Sequence, residues 1–330
     1  MIHVARTGAS ATALKGAGSH LARLIPFLWL ILALALIGCT DESATNGSND
    51  EPLPAVLEST GTLYPVTTKD GVGYIDSSGT VVMSPRFEEG QPLVDGFGPV
   101  RPKDSDLWGY VGRTGELAIE PQFEKALNLS DDRARVRVDG LWGYIDETGE
   151  MVIEPVFSDA AGFSEGLAVV EVEDTGLIGH IDTSGEWVIE PEYESAGTFG
   201  AGLAPVSVDD GFGYIDMESN LVLGPYDHQI YEFTESGLAL FSQDGSFGFL
   251  DTNGDVAIEA QFPWASSFYD GLAPAESEQG LLGYIDASGE WVIEPQFDVA
   301  EAFLDGIAFV IVEGNDGYVN TSGKLVWTED

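Results

Sequence analysis

The chain has 330 residues, and its 13 Lys and Arg against 56 Asp and Glu give a formal net charge of −43. Hydrophobic residues make up 44% and aromatic residues 11%, so the chain can bury a core and its acidity does not predict disorder. Because nucleic-acid affinity comes mainly from cationic contacts with phosphates, DNA and RNA are not expected as partners.

The acidity is concentrated, since no Lys or Arg occurs between Val138 and Gly323. One interpretation is solubility in a salty exterior, where ions screen the repulsion between like charges. The other is an electrostatic site for cations or for a basic partner. The sequence favours the first.

Residues 1–38 have the pattern of a bacterial lipoprotein signal peptide. The first part carries three cations and no acid: Arg6, Lys15 and Arg23. The apolar run at 24–37 has the length of a signal h-region and is short for a membrane span, which needs about 20 residues. The sole cysteine follows in "LIGC", which resembles the lipobox, so Cys39 is predicted to be lipidated. The alternative is a buried cysteine in an uncleaved anchor helix.

Residues 39–60 comprise this cysteine and an acidic segment rich in Ser, Asn, Asp, Glu and Pro, which predicts a flexible tether. The chain is therefore expected to contact a membrane through its lipid anchor, in a bacterial cell envelope. Thr40 after the cysteine favours the outer membrane if the host is Gram-negative. A single cysteine also excludes an intramolecular disulfide.

Residues 61–330 are predicted to form one repeat array. A Gly-aromatic step recurs eight times at intervals of 34 to 36 residues, which indicates repeats rather than two globular domains. We number units 1 to 8 by these steps: Gly73-Tyr74, Gly109-Tyr110, Gly143-Tyr144, Gly179-His180, Gly213-Tyr214, Gly248-Phe249, Gly283-Tyr284 and Gly317-Tyr318.

Each unit contains three strand-like pieces, for example 141–146, 151–157 and 162–172 in unit 3. β-branched and aromatic residues dominate these pieces, and no helical periodicity interrupts them. The predicted fold class is all-β, with eight three-stranded repeats of about 35 residues in tandem.

Turn residues connect the pieces. The spacing from Asp146 to Gly149 predicts a type I turn that ends in a left-handed Gly and is capped by the Asp carboxylate. Pro155 in "IEP" lacks an N–H, so it should interrupt the strand ladder near a sheet edge. Three Asp-Gly pairs predict hairpins from a third piece to the next first piece: Asp139-Gly140, Asp210-Gly211 and Asp244-Gly245.

The repeat resembles the WG-repeat (KWG) family over residues 63–327. The name-giving pair stands as Trp108-Gly109 and Trp142-Gly143, and the longer phrase Gly-Tyr-Ile-Asp, Gly, Val-Ile-x-Pro-x-Phe and Phe-x-x-Gly-Leu-Ala recurs with it. This resemblance implies a β repeat that serves as a binding or scaffold surface. It does not imply an active site.

Two arrangements of the array remain open. If a unit runs first–second–third piece, the chain starts with an orphan third piece at 61–68 and ends with an incomplete unit at 317–327, and these fragments would complete each other in a ring. If the unit runs third–first–second, eight whole units are present and closure is not required. Open arrays need polar caps, and none is evident, so a propeller-like closed ring is favoured over an open β solenoid.

The histidines that follow the signal segment are His180 and His228, and neither is predicted to be catalytic or to bind metal. His180 occupies the Tyr position of the repeat and is expected to pack as an aromatic residue. His228 is expected in a loop. Two histidines and no free cysteine do not make a usual zinc site.

The repeated carboxylates are expected to follow the fold. The glutamates are Glu120, Glu154, Glu190, Glu259 and Glu294, and the aspartates are Asp76, Asp146, Asp182, Asp216, Asp251 and Asp286. The aspartates are predicted to cap turns. Calcium is the alternative, although most copies supply no second oxygen ligand nearby.

Five cations cluster in an otherwise acidic array: Arg113, Lys125, Arg133, Arg135 and Arg137. A solvated structural patch is the favoured interpretation, and contact with an anionic partner or headgroup is the alternative.

These observations predict a non-catalytic lipoprotein that presents a repeat-built surface to a protein or glycan partner at the cell envelope. No catalytic, cofactor-binding or metal-ligating residue is predicted, and no cofactor is expected. The alternative function is an envelope hydrolase that acts on glycans through paired carboxylates.

Overall fold

The computed structural model of the chain describes residues 61–329, all of them in strands, turns and irregular connections. The predictions for residues 1–60, including the signal segment, Cys39 and the tether, lie outside the described residues. Within the described range the all-β prediction is confirmed, and no helix there is long and apolar enough to cross a membrane.

The strands of units 1 to 4 are β1 (Tyr64–Thr68), β2 (Gly71–Ile75), β3 (Val81–Gly90), β4 (Phe97–Pro102), β5 (Trp108–Gly112), β6 (Leu117–Phe123), β7 (Lys125–Ser130), β8 (Arg133–Val138), β9 (Leu141–Ile145), β10 (Met151–Ala160), β11 (Leu167–Val172), β12 (Ile178–Asp182) and β13 (Trp187–Tyr193). Those of units 5 to 8 are β14 (Ala204–Val208), β15 (Gly211–Ile215), β16 (Leu221–Tyr226), β17 (Gln229–Phe233), β18 (Leu238–Gln243), β19 (Ser246–Asp251), β20 (Val256–Phe262), β21 (Ala273–Glu276), β22 (Leu282–Ile285), β23 (Trp291–Phe297), β24 (Val299–Ala300), β25 (Ile307–Val312), β26 (Asn315–Asn320) and β27 (Leu325–Thr328).

All sheets are antiparallel meanders of consecutive strands. Units 5 and 7 are three-stranded sheets, β14-β15-β16 and β21-β22-β23, so the unit runs third–first–second piece. Units 6 and 8 have four strands. The two long strands β3 and β10 pair with one unit through their first part and with the next through their end, which joins units 1–2 and 3–4 into larger sheets. Among residues 61–329 no sheet closes on itself.

The prediction of three strands per unit is wrong for units 3, 6 and 8, which begin with an additional strand: β7, β17 or β24.

The predicted third piece is in fact a hairpin. In the piece 162–172, Glu165 and Gly166 have φ of 54° and 79°, as a two-residue type I′ turn requires. The strand before this turn is only a few residues long, too short for sequence alternation to show it.

The Gly of the Gly-aromatic step, such as Gly143, allows the backbone of the next strand to approach it closely. Between β9 and β10 the register runs from Tyr144 opposite Ile153 to Trp142 opposite Phe157, so two extra residues bulge out of β10. A Cβ on Gly143 would lie 2.5 Å from the Ile153 carbonyl oxygen and 2.7 Å from the Pro155 nitrogen. Only Gly fits there. The proline therefore interrupts the ladder, as predicted.

The aromatic residue of the repeat is buried and links consecutive units. The Tyr144 hydroxyl donates a 2.7 Å hydrogen bond to the Ala161 carbonyl, and the Tyr214 hydroxyl donates one of 2.7 Å to the Tyr231 carbonyl. The same bond, always 17 residues along the chain, joins Tyr74 to Gln91, Tyr110 to Leu127 and Tyr284 to Glu301. The core is thus built largely between units.

The first and last units also pack against each other. Tyr318 of unit 8 donates a 2.7 Å hydrogen bond to the Pro65 carbonyl, and the Tyr64 hydroxyl donates one of 2.7 Å to the Leu304 carbonyl. The two tyrosine rings lie 5.7 Å apart, and both belong to a buried cluster with Ile75 and Ile307. Tyr64 stands where six other units have Ala: Ala134, Ala168, Ala204, Ala239, Ala273 and Ala308.

Candidate binding surface

The Asp-x-x-Gly turns are capped by their own aspartates. Oδ1 of Asp146 accepts hydrogen bonds from the Thr148 N–H (2.9 Å), the Glu150 N–H (3.1 Å) and the Thr148 hydroxyl (2.6 Å). The bond from the Thr148 hydroxyl is the main reason that the pKa of Asp146 is lowered. This confirms the predicted turn capping at Asp146.

The same pattern recurs at Asp76, Asp182, Asp216, Asp251 and Asp286, and Asn320 supplies it in unit 8. Calcium binding, the less favoured alternative to turn capping, is not tested by these hydrogen bonds. Among residues 61–329, no three His, Cys, Asp or Glu residues are grouped as metal ligands would be.

His180 packs as an aromatic residue, as predicted. It is fully buried, its Nε2 lies 3.0 Å from the Gly197 carbonyl oxygen, and its ring lies 4.9 Å from Phe199. It therefore makes the link between units that Tyr makes elsewhere. Burial lowers the pKa of His180, which keeps the imidazole neutral.

His228 lies in the connection between β16 and β17, as predicted. Its ring packs between Tyr226 at 5.4 Å and Phe241 at 5.2 Å, and its Nδ1 lies 3.1 Å from the Asp227 carboxylate. This half-buried position fixes the loop against unit 6.

The prediction of a solvated basic patch is wrong for two of its members. Arg133 donates a 3.1 Å hydrogen bond to the Thr183 carbonyl, and Arg135 donates one to the Ala160 carbonyl. Both acceptors belong to unit 4, so these guanidinium groups fasten unit 3 to unit 4. The guanidinium of Arg135 also lies 5.5 Å from the centroid of the Trp142 ring.

Of the other three cations, one reaches the first unit, one bonds locally and one is exposed. Arg113 donates to the Gly61 carbonyl, and Arg137 donates a 3.0 Å bond to the Gly140 carbonyl, while Lys125 is exposed. The sequence could not separate these roles, because it does not show which face of β8 meets unit 4.

The strand formed by the second piece of each unit, such as β10 or β13, carries a row of exposed side chains, which we call the outer edge. On β10 the exposed Val152, Glu154 and Val156 alternate with the buried Ile153 and Phe157. Valines at the equivalent of Val152 are also exposed in three other units: Val188 by 45%, Val222 by 50% and Val292 by 48%. The repeated glutamates Glu120, Glu154, Glu190, Glu259 and Glu294 are exposed on these strands, each in a different unit.

A groove of about 320 Å³ opens on this edge between units 3 and 4. It is lined by Ile153, Glu154, Val156, Phe157, Val172, Gly185 and Trp187. The Trp187 ring stands edge-on to Phe157, with centroids 6.1 Å apart and planes at 85°. Gly185 allows the turn of unit 4 to approach, since a Cβ there would lie 3.2 Å from Ile153. The sequence does not predict this groove, and its local signal is Trp187, which stands in unit 4 where unit 3 has Met151.

The model of the WG containing repeat matches residues 73–104, 108–142, 142–175, 178–211, 247–278 and 283–315. The chain belongs to the WG-repeat family. The predicted resemblance is therefore confirmed over more than half of the chain. Residues 212–246 fall between the matched stretches, and there "LGPYDHQIYEF" departs from the "IEPxF" phrase of the other units.

Solved structures are similar in fold at low identity. One is described as a eukaryotic initiation factor: 11% identity over 82% of this chain and 85% of that chain, with a TM-score of 0.51. Another is the dihydro-heme d1 dehydrogenase NirN in complex with DHE, with 12% identity, coverage of 84% and 75%, and a TM-score of 0.52.

The WD40 β-propeller domain of Doa1 is a weaker match, with 14% identity, coverage of 63% and 86%, and a TM-score of 0.38. At these identities the likenesses concern the fold alone, which is an all-β array of small antiparallel sheets. No curated protein sequence matches the chain.

Proposed function

We propose that this protein is a lipid-anchored binding or scaffold protein of the bacterial cell envelope. The observation that carries the proposal is the outer edge, where an exposed valine and a glutamate stand two residues apart in units 3, 4 and 7 and a Trp-lined groove opens between units 3 and 4. Repeat proteins use such extended, shallow surfaces to bind partners. The partner is a protein or a glycan.

The eight units form a closed ring in this proposal. Two contacts support closure of the ring. The Tyr318 hydroxyl of unit 8 donates a hydrogen bond to the Pro65 carbonyl of unit 1, and the turn at Gly79 of unit 1 packs against Val326 of unit 8. In other neighbouring units the turn glycine packs in the same way on the preceding unit, for example Gly149 on Ile119. A ring would present its outer edges around the whole circumference.

The anchor is tested by phase partitioning of the expressed protein. Two acyl chains at Cys39 should carry the wild type into the detergent phase, and Cys39→Ser should shift it to the aqueous phase. A processed wild-type protein in the aqueous phase would exclude the anchor.

The binding role is tested against the hydrolase alternative with purified envelope glycan. We expect cosedimentation with the glycan, or cross-linking to an envelope protein from a photoreactive residue at Val188, and in neither case new reducing ends. Release of reducing ends that depends on the exposed glutamates would overturn the non-catalytic role.

A further inference from the structure

The groove between units 3 and 4 has the chemistry of a site for a cationic side chain. Its walls are apolar, formed by Val156, Val172 and Phe157, and Trp187 stands at one side. Glu154 is the one charged residue in its lining, and it is exposed on the strand that also carries Val156. An aliphatic stem with a cationic end matches this arrangement, because the stem can lie on the valines while the charge meets the carboxylate and the indole.

The protein uses the same pairing elsewhere. Arg135 lies 5.5 Å from the ring centroid of Trp142, and its guanidinium also reaches a carbonyl of the neighbouring unit. In unit 3, therefore, the Trp142 ring has a cation–π contact with an arginine of the same chain. The residues that line the groove beside Trp187 include no Lys or Arg, although Arg133 donates a hydrogen bond to the Thr183 carbonyl, two residues before Gly185. Between residues 138 and 323 the chain has 37 Asp and Glu residues and no Lys or Arg.

This excess of negative charge also favours a basic partner over an acidic one. A surface with this many carboxylates attracts cations over a distance of about 10 Å at moderate salt and repels acidic partners. A neutral glycan gains nothing from this charge imbalance, whereas a basic partner does.

We propose that this groove receives an Arg or Lys side chain from a basic segment of a partner protein. The inference rests on the proposed binding function and names the class of partner. The exposed Val152 on β10 and Val188 on β13 extend the contact surface on either side.

The test measures binding of a fluorescent peptide of alternating Arg and Gly to the full-length protein in detergent, by anisotropy at low and moderate salt. A second peptide replaces Arg with citrulline, which keeps the shape and removes the charge. We expect the Arg peptide to bind at least about tenfold more tightly than the citrulline peptide, with affinity that falls as salt rises. Equal binding of the two peptides would overturn the cationic assignment.

The groove itself is tested with Val156→Lys, which places a cation in the site. Val156 is 54% exposed, so the substitution should not affect folding. The junction between units 6 and 7 offers a matched control. There Trp291 stands edge-on to Phe262 at 5.8 Å, but the exposed Gln261 replaces Val156. We expect Val156→Lys to weaken the Arg peptide about tenfold, and Glu154→Gln several-fold, while Gln261→Lys changes affinity less than twofold.

Equal losses in the Val156→Lys and Gln261→Lys variants would mean diffuse attraction to the acidic surface and would overturn the site. If the Arg peptide does not bind and envelope glycan does, this inference fails and the binding function survives. If neither ligand binds and no envelope protein is cross-linked at Val188, both fail.

Discussion

The Tyr318 hydroxyl and the Pro65 carbonyl, 253 residues apart, form a 2.7 Å hydrogen bond between the last and the first unit. In five other units a tyrosine hydroxyl bonds to the carbonyl 17 residues ahead, and Tyr64, from the first strand, fills the space beside Tyr318. The contact between the chain ends is therefore specific to this junction.

Replacement of Tyr318 by Phe should loosen the first unit. Loss of this hydrogen bond costs about 1 kcal/mol and leaves the Pro65 carbonyl without its donor. We expect faster amide exchange in β1, residues Tyr64–Thr68, measured by hydrogen–deuterium exchange. Tyr284→Phe is the matched control, and its effect should be confined to the region of Glu301.

Removal of residues 317–330 gives the stronger form of this test. In a closed ring, protection should fall around residues 63–75, because unit 1 loses its neighbour. In an open array the loss would stay near unit 7, since each unit contacts only the units next to it in sequence. Unchanged protection at the amino end would contradict closure.

Gly143→Ala should destabilise the protein strongly. The new Cβ would lie 2.5 Å from the Ile153 carbonyl oxygen, so the bulge of β10 would have to move. Overpacking of this kind costs about 1–3 kcal/mol, measured as a lower denaturant midpoint. Gly112→Ala is the control, because a Cβ there meets nothing within 4 Å. Equal losses in both variants would show that the crossing strand is not the cause.

His180→Tyr should stabilise the protein and reduce its sensitivity to acid. Burial lowers the pKa of His180 below its ordinary value of 6.5, so below that pH the unfolded chain binds a proton that the folded histidine resists. The free energy of unfolding therefore falls as pH drops through 6.5 towards the lowered pKa. Tyrosine restores the repeat residue, with an expected gain of about 0.5–2 kcal/mol at neutral pH.

Denaturant titrations at pH 7 and pH 5 measure this difference. The reverse change in unit 3, Tyr144→His, is the matched control and should introduce the same loss of stability in acid. A pH dependence that persists unchanged in His180→Tyr would assign it to other groups.

Monovalent salt should raise the melting temperature steadily, because screening reduces repulsion among the carboxylates. Calcium at matched ionic strength should add little, since Oδ1 of Asp146 and of Asp286 is already engaged by turn N–H groups. A saturable gain with calcium, removed by a chelator and by Asp146→Asn with Asp286→Asn, would instead identify bound calcium.

The sequence by itself determined the period, the strands and most of the turns. Gly149 needs a left-handed φ of 87°, and Asp146 caps the same turn, so neighbouring residues alone encode it. The alternation of buried Ile153 with exposed Val152 likewise follows from residue type. Such features are local, because their energies depend on residues a few positions apart.

Only the tertiary structure decided how the units meet. The contact of Tyr318 with Pro65, the bonds from Arg133 and Arg135 to unit 4, and the groove beside Trp187 all join different units. Every unit carries nearly the same phrase, so sequence cannot tell which faces become interfaces. That choice depends on contacts between residues of different units, which no single motif records.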